Sequence, residues 1–397
     1  MVSMHTSPLA QPGFGDSGGL NVSVLALAEQ LASRGIEVEL VTRGIGEPSR
    51  FEAMAGVTVH SLAAGDATSV RKEELPALTD EFGEAFARFA RGAPVDVIHA
   101  HYWLSGIAAL PAAIELGVPL VQSFHTLAAM KSAATDDTAE PSVRVHSEAF
   151  LAGQADALVA SSSAEATSLL DLVGAPADRT WIVPPGVDTD RFAPRSVEEH
   201  AASRRRLGLD AERPIVVIAG RVQPFKGHEL AVRAIGELRA LRGWAPLLVV
   251  AGEATPGEEA FVSTLRSLAL ELGVADDLAF VGALDRDELA GLLAAASVTI
   301  VPSFSETFGL VALESAAAGT PVIGFRSGGL SESIAEGVSG VLLGTRDARY
   351  WATELAVMIE DTDRLAALAV TAREHAKRFS WGRATDRLLE VYRDVSN

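Results

Sequence analysis

Several features on which common enzyme classes depend are missing from this sequence of 397 residues. It contains no cysteine, which excludes disulfide bonds, thiolate zinc sites and a cysteine nucleophile. It also lacks the Ser-His-Asp order of a hydrolase triad, the His-Glu-x-x-His zinc motif and the Walker loop. No apolar run reaches the roughly eighteen residues of a transmembrane helix, and no signal peptide pattern begins the sequence. We therefore expect a cytoplasmic protein.

Positive charge is also scarce. The 33 Lys and Arg residues are outnumbered by 52 Asp and Glu residues, which gives a formal net charge of −19. Such a charge argues against general binding to nucleic acids or anionic membranes. An anionic substrate would need a local site built from a few cations and helix N-termini. A lysine inside a motif is therefore informative, because the only lysines are Lys72, Lys131, Lys226 and Lys377.

Short apolar runs alternate with longer amphipathic segments along most of the chain. Apolar runs at 38–42, 95–99 and 120–124 alternate with helical patterns, and the alternation restarts at 214–219 after Pro-Pro-Gly at 184–186. This pattern predicts an α/β fold with two doubly wound parallel sheets, each Rossmann-like, and ligands in a cleft between the domains. The predicted domains are 1–190 and 191–378, followed by a helix at 379–397 that packs toward the first domain.

Two loops that follow predicted strands suit anionic ligands. The glycine-rich loop 13–21 precedes the first helix, so its backbone can approach a ligand and aim N–H groups at it. A plain flexible loop and a dinucleotide-binding loop are the alternatives, although the spacing is not Gly-x-Gly-x-x-Gly. The loop 220–227 carries Arg221 and Lys226 before a helix, an arrangement that favours a diphosphate. Its alternative is a solvated basic turn.

A third motif contains two carboxylates. Glu306 ends a loop and Glu314 lies eight residues later in the next helix, a little over two turns, so we expect the carboxylates on nearby faces. The N–H groups of Phe308, Gly309 and Leu310 start that helix and are available to an anion. Apolar neighbours of Glu314 favour hydroxyl partners such as a ribose diol. Alternatively, Glu306 balances the helix dipole and Glu314 lies on the surface.

Polar residues at the ends of strands and starts of helices form a fourth set in the first half of the chain. Loops on one rim of a parallel sheet lie close together, so two cations and two hydroxyls from this set could form a phosphomonoester pocket. The two cations are Lys72 and Arg144, and the hydroxyls are those of Tyr102 and Thr126. The set also includes His99, His101 and His125.

Together these motifs resemble retaining nucleotide-sugar glycosyltransferases of the GT-B architecture. The stretches 5–13, 72–76, 101–106, 125–129 and 223–227 are similar to the D-inositol-3-phosphate glycosyltransferase family, which begins mycothiol biosynthesis. The resemblance implies transfer of N-acetylglucosamine from UDP-GlcNAc to 1D-myo-inositol 3-phosphate by a homodimer. It also implies an acceptor-binding first domain and a donor-binding second domain. Another nucleotide sugar, another cyclitol phosphate, a non-catalytic sugar-nucleotide sensor and a nicotinamide-dependent dehydrogenase are the alternatives.

The resemblance also implies roles for individual residues. His125 would lie near the donor sugar and act with Glu306, Arg221 and Lys226 in catalysis. A magnesium ion is implied near Thr320 and 293–296, where this chain has Leu-Ala-Ala-Ala in place of the Arg or Tyr-Arg of the family. The implied acceptor residues are His5, Asp16, Ser17, Gly18, Gly19, Leu20, Asn21, Lys72, Tyr102, Thr126 and Arg144. The implied donor residues are Gln11, Pro12, Gly19, Arg221, Lys226, Leu284, Glu306, Phe308, Gly309, Leu310 and Glu314.

Overall fold

The chain folds into two compact units, each built around a parallel sheet. The computed structural model describes residues 1–66, 70–134, 140–210 and 213–397. The first unit contains 1–10, 19–185 and 381–397, and the second contains 11–18 and 186–380. The predicted α/β class with two Rossmann-like sheets is confirmed. None of the helices in the described ranges is both long enough and apolar enough to cross a membrane.

The first unit has a sheet in which, among the described residues, eight strands run in the order β3-β4-β2-β1-β5-β6-β7-β8. All neighbouring strands are parallel except β3, which pairs with β4 in the antiparallel direction. The strands are β1 Val2–Ser3, β2 Val38–Arg43, β3 Ser49–Met54, β4 Val57–Leu62, β5 Ile98–His101, β6 Leu120–Ser123, β7 Ala157–Ala160 and β8 Thr180–Ile182.

Helices cover both faces of this sheet because each has an apolar side to bury. In α2, for example, Phe82 and Phe86 are buried, while two acidic residues lie in the first turn and two basic residues in the last. The C-terminal helix α15 packs on α1 and so belongs to this unit. The helices are α1 Gly19–Ala32, α2 Thr79–Arg91, α3 Trp103–Leu116, α4 Ala128–Ala134, α5 Ser142–Gln154, α6 Ser163–Ser168 and α15 Trp381–Val395.

The second unit has a wholly parallel sheet in the order β11-β10-β9-β12-β13-β14. Strands β9 and β10 of this sheet are continuous apolar runs, as is typical of strands that helices cover on both faces. The strands are β9 Ile215–Ala219, β10 Leu247–Ala251, β11 Leu278–Gly282, β12 Val298–Val301, β13 Val322–Phe325 and β14 Gly340–Leu343. The helices are α7 Val197–Arg206, α8 His228–Arg242, α9 Glu259–Glu271, α10 Arg286–Ala295, α11 Leu310–Ala317, α12 Leu330–Ser333, α13 Ala348–Glu360 and α14 Thr362–Ala376.

Some local details differ from the expectations. The strand expected at 95–99 lies at Ile98–His101, which moves His99 and His101 inside the strand. Lys72 lies in a turn before a short 3₁₀ helix, Leu75–Leu78, rather than in a helix. The edge strand β3 was not expected, because its residues are largely exposed and carry no alternating apolar pattern.

Candidate functional site

The carboxyl ends of β5 and β6 hold two residues in an unusual backbone conformation. In the described ranges, Tyr102 (φ 74°) and His125 (φ 59°) are the non-glycine residues with positive φ. Tyr102 donates its backbone N–H to the carbonyl of Ser123 at 2.8 Å, and the amide of Gln122 donates to the Tyr102 and Ser123 carbonyls. Gly106 permits this approach, since a Cβ there would lie 2.1 Å from Gln122 Oε1. Such strain is typical of functional sites.

Two of the predicted acceptor cations lie over the buried ring of Tyr102. Lys72 Nζ is 5.6 Å from the ring centroid and the guanidinium carbon of Arg144 is 5.2 Å from it. Arg144 is itself buried, donating from Nη2 to the carbonyl of Thr126 at 2.8 Å and from Nε to Glu148 at 2.7 Å. The structure therefore brings Lys72, Tyr102, Thr126 and Arg144 together, as expected for loops at one edge of a parallel sheet.

A carboxylate that the sequence analysis missed links two cations at this cluster. Glu140 accepts from Arg144 Nη1 at 2.8 Å and from Lys131 Nζ at 3.0 Å. Burial alone would raise the pKa of Glu140, but Arg144 and Lys131 hold that pKa below its ordinary value. Burial lowers the pKa of Lys131, helped by the neighbouring charges of Arg144 and Lys72. The available signal was the i, i+4 spacing of Glu140, Arg144 and Glu148.

The remaining first-unit residues of the predicted acceptor set support the segment that follows β1. The ring of His5 packs on Tyr102 with centroids 4.3 Å apart. Asn21 is buried in α1 and donates to Thr6 Oγ1 at 3.0 Å and to the carbonyl of Ser7 at 2.6 Å. Gly19 and Leu20 form the first turn of α1.

The first part of the glycine-rich loop belongs to the second unit. Asp16 accepts from Arg221 Nη1 at 3.2 Å, so a predicted acceptor residue pairs with a predicted diphosphate cation. The amide of Gln11 reaches the carbonyl of Ala283 at 3.5 Å, and the carbonyl of Gly13 accepts from the backbone N–H of Glu253 at 3.0 Å. The predicted residues Pro12, Ser17 and Gly18 lie in this same segment.

Lys226 and Glu306 face each other at the carboxyl ends of the adjacent strands β9 and β12. Lys226 Nζ donates to Glu306 Oε1 at 2.6 Å, and the Ser303 hydroxyl donates to the same oxygen at 2.8 Å. Gly227, with φ 77°, allows the two loops to touch, since a Cβ there would lie 2.1 Å from the carbonyl of Pro302. The loops after β9 and β12 thus meet through one cation and one carboxylate.

The expectation that Glu306 and Glu314 share nearby helix faces is wrong. Glu306 lies in the loop before α11, which begins at Leu310, so helical spacing does not relate the two residues. Glu314 is buried in α11 and accepts from Arg286 Nη2 at 2.6 Å. Arg286 at the start of α10 was missed because nothing in the sequence relates it to Glu314. Leu284 just before it is buried in the core.

The N-terminus of α11 is shaped by a close backbone contact. The backbone N–H of Gly329 donates to the carbonyl of Glu306 at 2.8 Å, and a Cβ on Gly329 would lie 2.1 Å from the carbonyl of Thr307. Phe308 and Gly309 are buried there, and Gly309 adopts φ 89° before the helix begins. This contact fixes the segment that leads into α11, whose first N–H groups have no partner within the helix and suit an anion.

The family-implied magnesium site at Thr320 is poor in ligands. The Thr320 hydroxyl donates to the carbonyl of Leu293 at 2.7 Å and lies 3.4 Å from the carbonyl of Ala296. These oxygens are neutral, and the described residues contain no cluster of three or more His, Asp or Glu side chains suited to a metal. The donor set does not fit a tightly held divalent cation, so we assign no step to a metal.

Comparison with known proteins relates the whole chain to glycosyltransferases. The family model "Glycosyl transferases group 1" matches residues 199–375, and "Glycosyl transferase 4-like domain" matches residues 18–186. The D-inositol 3-phosphate glycosyltransferase of Stackebrandtia nassauensis is 44% identical, with 100% of this chain and 91% of the relative covered. That of Acidothermus cellulolyticus is 43% identical, with 100% and 90% covered.

Solved structures support the same fold. Sucrose-phosphate synthase from Thermosynechococcus elongatus has a TM-score of 0.90 at 29% identity, with 99% of this chain and 97% of that chain covered. Anabaena HepE in complex with UDP-glucose has a TM-score of 0.78 at 20% identity, with 99% of both chains covered. At that identity, the second likeness concerns the fold alone.

Proposed function

The chain belongs to the D-inositol 3-phosphate glycosyltransferase family and is a glycosyltransferase, and from this premise we propose its donor, acceptor and stereochemistry. It transfers N-acetylglucosamine from UDP-GlcNAc to 1D-myo-inositol 3-phosphate with retention at the anomeric carbon, and it releases UDP. The relatives are D-inositol 3-phosphate glycosyltransferases, which supports the acceptor. The donor and the retention are inferred from the motifs and their resemblance to the family.

The observation that carries the acceptor assignment is the pair of cations on Glu140. Arg144 and Lys131 both bind one carboxylate, and Lys72 Nζ lies 5.6 Å from the centroid of the Tyr102 ring. In a chain of net charge −19, three cations at one strand edge mark a place for an anion. A phosphomonoester offers the same kind of oxygen as the carboxylate and more negative charge.

The donor assignment depends on the second unit. Arg221 and Lys226 follow β9, and the N-terminus of α11 lies beside Glu306, the partner of Lys226. Two cations and a helix N-terminus suit the diphosphate of a nucleotide sugar. Glu306 and buried Glu314 supply carboxylates that can accept hydrogen bonds from sugar and ribose hydroxyls.

In the proposed reaction, a hydroxyl oxygen of the inositol attacks the anomeric carbon on the face that the diphosphate leaves. The bond between that carbon and the diphosphate oxygen breaks, and the hydroxyl proton passes to the departing diphosphate. Negative charge develops on the leaving group, so Arg221, Lys226 and the α11 N–H groups stabilise the transition state. His125 and Glu306 hold the sugar during transfer.

The test is a product analysis with panels of both substrates. UDP-GlcNAc, UDP-glucose and GDP-mannose are each mixed with inositol 3-phosphate, inositol 1-phosphate and inositol, and the products are identified by mass spectrometry. We expect the GlcNAc-inositol phosphate product and UDP to form fastest from UDP-GlcNAc and inositol 3-phosphate, with an α-anomeric coupling constant by NMR. Faster transfer from another donor, to another acceptor or with inversion would contradict the proposal.

One variant tests the acceptor site independently of the donor site. Lys72→Met should raise the KM for inositol 3-phosphate about tenfold or more, the worth of one charged hydrogen bond, and leave the donor KM unchanged. Lys377→Met is the matched control, because Lys377 is exposed and pairs only with Glu374 among the contacts described for it. An unchanged acceptor KM would remove Lys72 from the pocket.

The implied homodimer stays a prediction for sedimentation analysis.

A further inference from the structure

Arg346 follows β14 and reaches across the carboxyl ends of the neighbouring strands of the second sheet. Its Nη1 donates to the carbonyl of Pro302, just after β12, at 2.8 Å. Its guanidinium carbon lies 3.6 Å from the centroid of the Phe304 ring and 5.1 Å from that of Phe325, the last residue of β13. A Cβ on Gly227, in the loop after β9, would lie 3.1 Å from Arg346 Nη2. One side chain thus lies against the loops after β9 and β12 and against the end of β13.

Arg346 is a half-buried cation that neutral groups hold in place. Among the described residues no carboxylate forms an ion pair with it, and the neighbouring Asp347 instead accepts from two N–H groups in the first turn of α13. Burial lowers the pKa of Arg346 to about 10, so the guanidinium stays charged at pH 7. Without a counter-ion, the charge is compensated by the carbonyl of Pro302 and the face of the Phe304 ring. The cation is therefore stable only when the loop after β12 adopts this conformation.

The loop that Arg346 holds also carries Glu306. Ser303, between the two loop residues that Arg346 contacts, is buried and donates its hydroxyl to Glu306 Oε1 at 2.8 Å. Phe304 donates its backbone N–H to the carbonyl of Phe225 at 3.0 Å, which ties the same loop to the loop after β9. Because Arg346 fixes the residues on both sides of Ser303, it also fixes the direction of the hydroxyl group that Glu306 accepts.

We propose that Arg346 is a positioning residue, which holds the loop after β12 so that Glu306 faces Lys226 and the donor sugar. It acts through the Pro302 carbonyl and the Phe304 ring rather than through contact with a substrate. A charged donor and a stacked guanidinium restrain both the carbonyl and the ring, which an apolar side chain of the same length would not do. The inference rests on the proposed function only where it gives Glu306 the donor sugar as its ligand.

Amide hydrogen exchange, followed by NMR of the full chain, tests the holding of the loop without any substrate. Arg346→Met keeps the length of the side chain without its charge and donors, whereas Arg346→Lys keeps a charge and a donor. Arg349→Met is the matched control, because Arg349 is an exposed arginine of α13. Relative to the amides of β10, which report global unfolding, the Phe304 amide should exchange about tenfold faster in Arg346→Met and at most about threefold faster in Arg346→Lys. The control should exchange at the native rate. An unchanged ratio in Arg346→Met, or equal increases in the Lys and Met variants, would overturn the proposal.

Turnover provides the second measurement. Arg346→Met should lower kcat about tenfold or more, the worth of one charged hydrogen bond, with the KM for inositol 3-phosphate unchanged. In a Glu306→Gln background the same substitution should lower kcat by no more than about twofold, because Arg346 acts through Glu306. Equal effects in the two backgrounds would contradict the positioning role. If Glu306→Gln alone keeps the native kcat, the proposed role of Glu306 fails, while the exchange of the Phe304 amide still decides whether Arg346 holds the loop, so the two failures are distinguishable.

Discussion

Glu140→Gln is the substitution that most directly tests the proposal that the first unit binds an anion. Glu140 bridges Arg144 and Lys131, and its side chain is 13% exposed. An incoming phosphomonoester must either displace this carboxylate or bind beside it. In both cases the negative charge of Glu140 opposes binding, so its removal should strengthen binding of inositol 3-phosphate.

The magnitude follows from Coulomb's law. A carboxylate and a dianionic phosphate about 6 Å apart repel by about 1.4 kcal/mol at the dielectric constant of water and by about 5.5 kcal/mol at an effective value of 20. The lower limit corresponds to about a tenfold change in affinity. Glu140 is neither fully exposed nor fully buried, so we expect the KM for the acceptor to fall at least about tenfold. The ligand-free protein should lose stability, because Lys131 then loses its carboxylate partner and Arg144 keeps only Glu148.

The assay measures initial rates over a range of acceptor concentrations and thermal unfolding with and without inositol 3-phosphate. We expect a lower acceptor KM, a lower melting temperature without ligand and a larger stabilisation by the ligand. Glu374→Gln is the matched control, because Glu374 is exposed and pairs with Lys377. An acceptor KM that stays constant or rises in Glu140→Gln would refute this account of the anion site.

Three further predictions concern other contacts. Lys226→Met should lower kcat by about 100-fold, the typical worth of one group that stabilises developing charge, whereas Lys377→Met should leave kcat unchanged in the same rate assay. Gly329→Ala should destabilise the protein by about 1–3 kcal/mol in urea unfolding, because the new Cβ would lie 2.1 Å from the carbonyl of Thr307. The control Gly344→Ala should leave the stability unchanged, because a Cβ at Gly344 has open space around it. Burial lowers the pKa of His125 to about 4. Between about pH 6.5 and pH 4 the unfolded chain therefore binds more protons than the folded one, so the free energy of unfolding decreases as the pH is lowered. Unfolding at pH 7 and pH 4.5 should show a smaller loss in His125→Asn, and equal losses would contradict the burial of that ring.

The fold was predictable where burial dictates the sequence. The strands β9 and β10 are continuous apolar runs, and the run at 214–219 agrees with β9, Ile215–Ala219, because both faces of such strands are covered. β5 was placed too early, since its end contains His99 and His101, which look like loop residues in isolation. Their burial depends on partners from β6 and α15, which no local pattern reveals.

For the candidate site, the sequence predicted which loops lie together at the strand ends but not which side chains pair. A parallel sheet brings the loops after its strands to one edge, which is how Lys226 and Glu306 could be suspected 80 residues apart. The pairing of Glu314 with Arg286 was not predictable, because it depends on how α10 packs beside α11. Sequence spacing indicates which loops meet, whereas packing decides which side chains touch.

In this acidic chain, the cations of the candidate site are paired with carboxylates. Arg144, Arg221 and Lys226 each bind a carboxylate of the same unit. A half-buried cation without a partner is destabilising, so the carboxylate stabilises the ligand-free protein. An anionic ligand that displaces that carboxylate gains from the exchange only if it has more charge or more acceptor oxygens. Phosphate and diphosphate meet this condition while neutral sugars and cyclitols do not, so the same ion pairs that stabilise the fold also favour phosphorylated substrates.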